Sequence, residues 1–242
     1  MEKSEYKNIF LNEKEHWWYV GMRKIFFNLI KNRINPGSKI LDAGCGTGIN
    51  MKILKVLGEV HGIDSSEEAI NFCKERGINN VTLASIENIP FKNNEFDLVT
   101  TFEVIYHKNV KDDLQACKEI HRVLKNKGLV FLRVPAFECL RGNHDKIVHT
   151  RERYTKKKLS KLLHEAGFSI EKITYTNTFL FPFVYGMRKL KTSGSDIEEK
   201  NSIKGKVLQK ILEFEAFLLS WINFPFGVSL IAIARKNKNP DF

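Results

Sequence analysis

The chain has 242 residues, 43% of them hydrophobic, and carries 39 Lys and Arg against 28 Asp and Glu, a formal net charge of +11. That length supports one sizeable core and excludes a second full domain. The four cysteines, Cys45, Cys73, Cys117 and Cys139, are scattered and form no C-x-x-C pair, so neither a zinc site nor a disulfide framework is expected. The charged opening Met1-Glu2-Lys3-Ser4-Glu5 has no apolar run behind it, which argues against a secretory signal and for a cytoplasmic protein.

The first patterned segment, Tyr6 to Ile34, reads as amphipathic helices rich in aromatics, with His16-Trp17-Trp18-Tyr19 and the basic pair Arg23-Lys24. It stands outside the alternating pattern that follows, and residues 1–35 are expected to form a helical lid that keeps water from a reaction centre, with Arg23 near an anionic ligand group.

Lys39-Ile40-Leu41-Asp42-Ala43 then reads as a short apolar strand running into Gly44, Gly46 and Gly48. Glycines let a backbone turn through conformations closed to other residues and leave its N–H groups open to a ligand. A dinucleotide fingerprint requires G-x-G-x-x-G, but Ile49 stands where the third glycine belongs, and no Lys-Ser or Lys-Thr pair follows as a phosphate loop requires. A loop without either phosphate signature, preceded by Asp42, suits a ligand with a positive amino group and a sulfonium.

Further strands are expected at 59–63, 80–83, 96–102 and 128–134, with helices at 48–57, 66–76 and 110–125 between them, an alternation that implies a mostly parallel sheet covered on both faces. The second strand ends in Asp64, 22 residues beyond Asp42, where a carboxylate can accept hydrogen bonds from both ribose hydroxyls. Either aspartate can instead cap its own turn, Asp64 at the helix that begins near Ser66. Asn126-Lys127-Gly128 is expected to break the helix before the fifth strand. After that strand, a loop gathers His144, Asp145, His149, Arg151, Arg153 and Tyr154, in which a His beside a carboxylate can serve as a base and two arginines can clamp an anion.

Residues Arg151 to Lys161 hold six basic residues and one acidic, a field that favours polyanions, anionic membranes or phosphorylated substrates, or else a solvated helix start. A helix from Thr155 to Ala166 is stopped by Gly167 and leads to a strand at Phe168 to Tyr175. Phe179 to Met187 is apolar, Leu190 to Lys204 reads as a flexible connection, and 216–234 carries no charge. Asn223, Pro225 and Gly227 interrupt this last run, so it is read as a helix ending near Asn223, a turn and a final strand at Val228 to Ala234, and not as a membrane span. The two apolar stretches are expected to form an acceptor groove, an interfacial membrane patch or a small satellite core.

Asp42 to Gly48, Asp64, the segment Ala84-Ser85-Ile86-Glu87-Asn88-Ile89-Pro90-Phe91 and Phe96-Asp97-Leu98-Val99 stand in the order and at the distances that class I S-adenosylmethionine (SAM)-dependent methyltransferases show, and the chain resembles that family in its type 11/23-like branch. The resemblance implies a doubly wound, seven-stranded, mostly parallel Rossmann-like sheet with an antiparallel seventh strand. It implies a SAM-binding domain over 36–242 with a helical insertion at about 177–225. It assigns the cofactor to Asp42, Gly44, Cys45, Gly46, Gly48, Asp64, Ser65, Ser85 and Ile86, with Arg23 added from the lid. The aspartate that accepts the adenine amino group in the family is Ser85 here, so adenine recognition is expected to rest on the Ser85 hydroxyl and the Ile86 backbone. Phe102 to His107 resembles the family's "E-x-x-x-H" segment, making His107 a catalytic candidate beside His144 and Tyr154; no metal is called for. The expected function is methyl transfer to a small-molecule or lipid-linked acceptor, with peripheral membrane contact. The alternatives are an RNA or protein methyltransferase, supported by charge although no RNA-binding module is recognisable, and a non-catalytic SAM-binding accessory protein.

Overall fold

The computed structural model describes residues 1–189 and 203–237. Most of the connection expected at Leu190 to Lys204 lies outside the described residues. The chain begins with helices α1 (Lys3–Asn12) and α2 (Trp17–Ile30), continues through β1 (Ser38–Ala43), α3 (Ile49–Leu54), β2 (Gly58–Asp64), α4 (Glu67–Glu75) and β3 (Val81–Leu83), and then reverses direction across the sheet into β4 (Phe96–Phe102), α5 (Asp113–Val123) and β5 (Leu124–Pro135). A short helix α6 (Asn143–Ile147), α7 (Lys156–Glu165), β6 (Phe168–Thr176), α8 (Phe181–Lys189), α9 (Ile203–Leu218) and β7 (Ser229–Lys236) follow.

The seven strands form one sheet in the order β3-β2-β1-β4-β5-β7-β6. All neighbours are parallel except β7, which runs antiparallel to both β5 and β6. The expected doubly wound, mostly parallel sheet is therefore the fold, and the final strand enters in the expected direction. Because β1 sits where strand order reverses, its carboxyl end at Ala43 and those of β2 and β4 open onto one crevice, the position at which such sheets hold ligands.

Both faces of the sheet are covered, which explains why its central strands are almost continuously apolar. On one face Ile120 of α5 and Leu159 and Leu163 of α7 pack against Leu41, Val99 and Val130; on the other, Met22, Phe26 and Leu29 of α2 and Ala216 and Leu219 pack against Ile40, Leu98 and Phe131. Helix starts follow local chemistry: the Asp112 side chain accepts the N–H groups of Leu114 and Gln115, and Thr155 accepts that of Lys158, satisfying donors a helix leaves open.

Three boundaries differ from expectation. Helix α3 stops at Leu54, because Lys55 to Leu57 close the turn into β2. Strand β5 begins at Leu124 instead of 128: Leu124 pairs with Phe96, and the irregularity expected to break the chain is absorbed as a register shift with Lys127 at φ 63°. Helix α9 ends at Leu218, although one further turn carries the N–H groups of Trp221 and Ile222 back to the Leu218 carbonyl.

A buried carboxylate joins α9 to the end of β6. Glu215 is fully buried and accepts the N–H groups of Asn177 at 2.5 Å and Thr178 at 2.9 Å; burial pushes its carboxyl up to about 7. Helix α9 also lies tightly on α2, where a Cβ at Gly21 would fall 2.4 Å from Leu212 Cδ1 and 2.7 Å from its Cβ. Gly21→Val should therefore push the helices apart and lower unfolding free energy by about 1–3 kcal/mol, measured as a lower urea midpoint; an unchanged midpoint would show that this close approach is not structurally required.

Candidate active site

The glycine loop is shaped by neighbours as well as by its own freedom. Gly44 and Gly48 have φ of +85° and +84°, and a Cβ at Gly44 would lie 2.2 Å from Val104 Cγ2, so a side chain there is excluded by both torsion and contact. The Gly44 and Cys45 N–H groups donate to the Ile63 carbonyl, and that of Gly46 to Asp64 Oδ2 at 2.9 Å. Asp64 also accepts the Ser66 N–H on Oδ1 at 3.0 Å. The capping and binding roles for Asp64 thus coexist, since each carboxylate oxygen can accept more than one hydrogen bond. Burial raises the Asp64 carboxyl above its usual range despite those donors.

A cavity of about 260 Å³ opens beside this loop. The loop side is formed by Gly44, Cys45, Gly46, Asp64, Ser65, Ser85 and Ile86, and Arg23, His107 and His144 line it as well. Three of the expected site residues do not reach the cavity. Gly48 is the left-handed N-cap of α3, set against Cys73 and Ile78. Asp42 is fully buried below the loop, where Thr100 Oγ1 donates to its Oδ1 at 2.8 Å. Tyr154, expected to be catalytic, is a core residue with its hydroxyl donated to Asp113, because the chain after α6 pairs with Ala136 beyond β5 and buries the ring in the core on the α5 side.

The expected arginine clamp is likewise absent from the cavity. Arg153 is buried against Asp145 at 2.9 Å and the Ala136 carbonyl at 2.8 Å, and Arg151 pairs with Asp113. Burial alone would raise the Asp145 carboxyl, but the Arg153 charge beside it holds it below its usual range. Residues 179–187 and 216–226, expected to line the same cleft, are not among the residues that form it.

Ser85 and Arg23 have local partners. The Ser85 Oγ accepts the Glu87 N–H at 3.1 Å, while Arg23 donates to the carbonyls of Glu13 at 2.5 Å and Lys14 at 2.9 Å. Burial and the Met1 amino group push the imidazole of His107 down to about 4, with His149 adding to the shift. Its Nδ1 accepts the Asn109 N–H at 3.2 Å and its Nε2 meets the Met1 amino group at 2.9 Å, so both ring nitrogens already have partners within the chain.

Several cavity residues were not foreseen. Glu103 follows β4 with φ +60°, an uncommon conformation for a residue with a side chain. It accepts Arg133 Nε at 2.8 Å, and the guanidinium stacks over Trp18 and Phe102 at 5.2 and 5.4 Å. A lone Arg inside the apolar run Phe131-Leu132-Arg133-Val134 was the available sequence signal. Glu13 closes the opposite side: it is buried, accepts hydrogen bonds from Thr47 and Arg76, and so ties the segment between α1 and α2 to the glycine loop. Tyr6, Trp18, Tyr19, Met22 and Phe26 complete that wall.

The sheet order and the crevice at its switch point are the fold of class I SAM-dependent methyltransferases. Residues 41–132 match the family described as "Methyltransferase domain". The chain is 39% identical over 105 residues to demethylmenaquinone methyltransferase of Staphylococcus haemolyticus, covering 40% of this chain and 43% of that protein. It is 37% identical over 106 residues to "Probable tRNA methyltransferase 9B" of Mus musculus, covering 43% and 23%. The chain therefore spans less than half the length of these curated relatives. By fold it is similar to a chain of the complex of the Haloferax volcanii Trm112 methyltransferase activator, with a TM-score of 0.65, 16% identity, and 99% of this chain and 96% of that one covered.

The residues fit SAM on the structure's own terms. Asp42 Oδ2 is buried without a partner, an expensive state for a carboxylate, and burial pushes this carboxyl up to about 7. A cationic ligand at the loop above would offset that cost. Asp64 supplies acceptor oxygens beside it, and Gly44 and Gly46 leave the loop face free of side chains. With a folded value above the ordinary 3.8, Asp42 costs nothing below about pH 4 and an increasing amount up to pH 7, at most about 4 kcal/mol. Asp42→Asn should raise the melting temperature of the ligand-free protein at pH 8 but not at pH 4, and weaken SAM binding in calorimetry. An unchanged pH-8 melting temperature would show that Asp42 is not a strained acid.

Proposed function

We propose that the chain transfers the methyl group of SAM to a small-molecule or lipid-linked acceptor held in the same cavity. The observation that carries this reading is the junction of two unlike walls: the glycine loop with Asp64 on one side, and on the other an aromatic and aliphatic surface of Trp18, Tyr19, Met22, Phe26 and Val104, beside which Arg133 is paired to Glu103 and Arg23 to backbone carbonyls. The resemblance in sequence to a demethylmenaquinone methyltransferase supports an acceptor with a large apolar part. The net charge of +11 and the resemblance to a tRNA methyltransferase support the second reading, an RNA acceptor.

SAM, when bound, supplies an electrophilic methyl group on a sulfonium. The chain's own contribution is alignment and proton handling. Asp64 can take the ribose hydroxyls, with Ser65, Ser85 and Ile86 beside it on the cofactor side. His107 lines the acceptor side with both ring nitrogens bonded within the chain, and His144 is the other imidazole at the cavity, placed to take a proton from a nitrogen or hydroxyl acceptor. Helices α1 and α2 act as a lid, latched by Glu13 to Thr47 and Arg76, and exclude water around the aligned atoms; holding reactants in line is worth about 7–11 kcal/mol of barrier.

One assay tests the reading. Metabolite, lipid and RNA fractions incubated with the protein and methyl-labelled SAM should yield label in the lipid or small-molecule fraction; label confined to RNA would replace the acceptor assignment, and SAM binding without any labelled product would support an accessory protein. In the same assay His144→Ala should lower kcat by about 100-fold or more with the SAM Kd unchanged. A weakened SAM Kd with unaltered kcat would move His144 to the cofactor side.

A further inference from the structure

Helix α9 is amphipathic in an unusual sense: both of its faces are apolar. Gly205, Leu212, Glu215 and Ala216 are buried, the side turned to the protein. On the opposite side Ile203, Val207, Lys210, Phe214, Phe217 and Trp221 recur at spacings of four and three residues, which places them in one stripe along the helix and its extra turn. Among the described residues nothing covers that stripe: Val207 is 55% exposed, Phe214 57%, Phe217 60% and Trp221 77%. Phe179, itself exposed, widens it by packing against Phe214 at 6.0 Å between ring centroids. Scattered single apolar residues on a surface need no explanation, but a continuous row ending in large aromatics does.

The charges around the row select what covers it. Between residues 203 and 226 the acids are Glu213 and Glu215. Glu215 is fully buried, and Glu213 is bridged by Lys210 at 2.8 Å and Lys24 at 2.9 Å. Lys206 and Lys210 stand exposed beside or within the stripe, and Lys172 Nζ reaches the Ile222 carbonyl at 3.2 Å, bringing a cation to the aromatic end. A second copy of this chain on the same face would bring these lysines toward their own counterparts. An anionic lipid surface accepts both features at once, aromatic rings at the headgroup boundary and lysines spread toward phosphates. No described helix is long and apolar enough to cross a membrane.

We propose that the outward face of α9, with Phe179, docks the protein onto an anionic phospholipid bilayer. The helix lies along the surface, Phe214, Phe217 and Trp221 enter the interface, and Lys206 and Lys210 meet headgroups. Because α9 packs on α2, whose residues Trp18, Tyr19, Met22 and Phe26 line the active-site cavity, docking sets α9 as the single helix between that wall and the bilayer. The proposal goes beyond the acceptor assignment and is tested without SAM or an acceptor.

The full chain is mixed with phosphatidylcholine vesicles with and without phosphatidylglycerol, and co-sedimentation is measured. Binding should require the anionic lipid and fall severalfold as salt rises, since exposed charges are screened beyond about 10 Å at 0.1 M ionic strength. The double variant F217S/W221S should lose about tenfold or more in vesicle partition, the equivalent of about 1.4 kcal/mol, while its melting temperature and SAM affinity are retained, as expected for exposed positions; K206E/K210E should lose binding to the anionic vesicles. Three results would overturn the proposal: no partition of the parent protein, equal partition of parent and F217S/W221S, or a concentration-dependent dimer that F217S/W221S abolishes in the absence of vesicle binding.

Discussion

The structure turns on a crowded bend at the carboxyl end of the central strand. Gly44 must pass within contact of Val104 with a torsion that L side chains rarely adopt, and its N–H is spent on the Ile63 carbonyl of the neighbouring strand. This one constraint links three strands: β1 carries the bend, β2 receives its hydrogen bonds, and the residues after β4 fill the space a side chain would need. Asp42 near the end of β1 and Asp64 at the end of β2 are then held on adjacent paired strands, one sealed below the loop and one open to the cavity. A pair of carboxylates raised by burial is a costly arrangement in a ligand-free protein, and such costs collect at binding sites, where the ligand relieves them.

Around that bend, buried charges hold the loops in place. Glu13 connects the N-terminal helices to Thr47 and Arg76, Arg133 is held by Glu103 between two aromatic rings, Arg153 is held by Asp145, and Glu215 gathers the backbone after β6. Each group has several partners, as buried ionic groups require. The sheet supplies rigidity, and these contacts determine which loop side chains can face a ligand. Arg153 and Tyr154 are lost to the site for this reason: their polar atoms already satisfy Asp145 and Asp113.

The same division runs through α9. Its inner face is specified by a close approach to Gly21 and by the Glu215 hydrogen bonds, so little freedom remains in how the helix is rotated. The exposure of Phe214, Phe217 and Trp221 follows from that rotation. Had the helix turned by a third, these rings would have joined the core and Glu215 would have faced water.

The alternation of strands and helices, the glycine spacing and the order of Asp42, Asp64 and the Ser85 segment were legible in the sequence because they depend on local torsion, period-two burial and short-range spacing. They determined the sheet, its switch point and the loop side of the cavity. Helix and strand ends were less legible: β5 could start four residues early because pairing with Phe96 stabilised a bulge at Lys127 that local propensity disfavours. The acceptor side was decided only by the tertiary structure. His144, His149, Arg153 and Tyr154 are neighbours in the chain, but which of them faces a ligand depends on partners such as Asp145, Asp113 and Ala136, some of them distant in sequence. Arg133 of β5 and Glu103, which follows β4, meet only when β4 and β5 pair. Contacts of that kind have no period or spacing in the sequence, because the energy that selects them exists only once the sheet has brought both partners out of water.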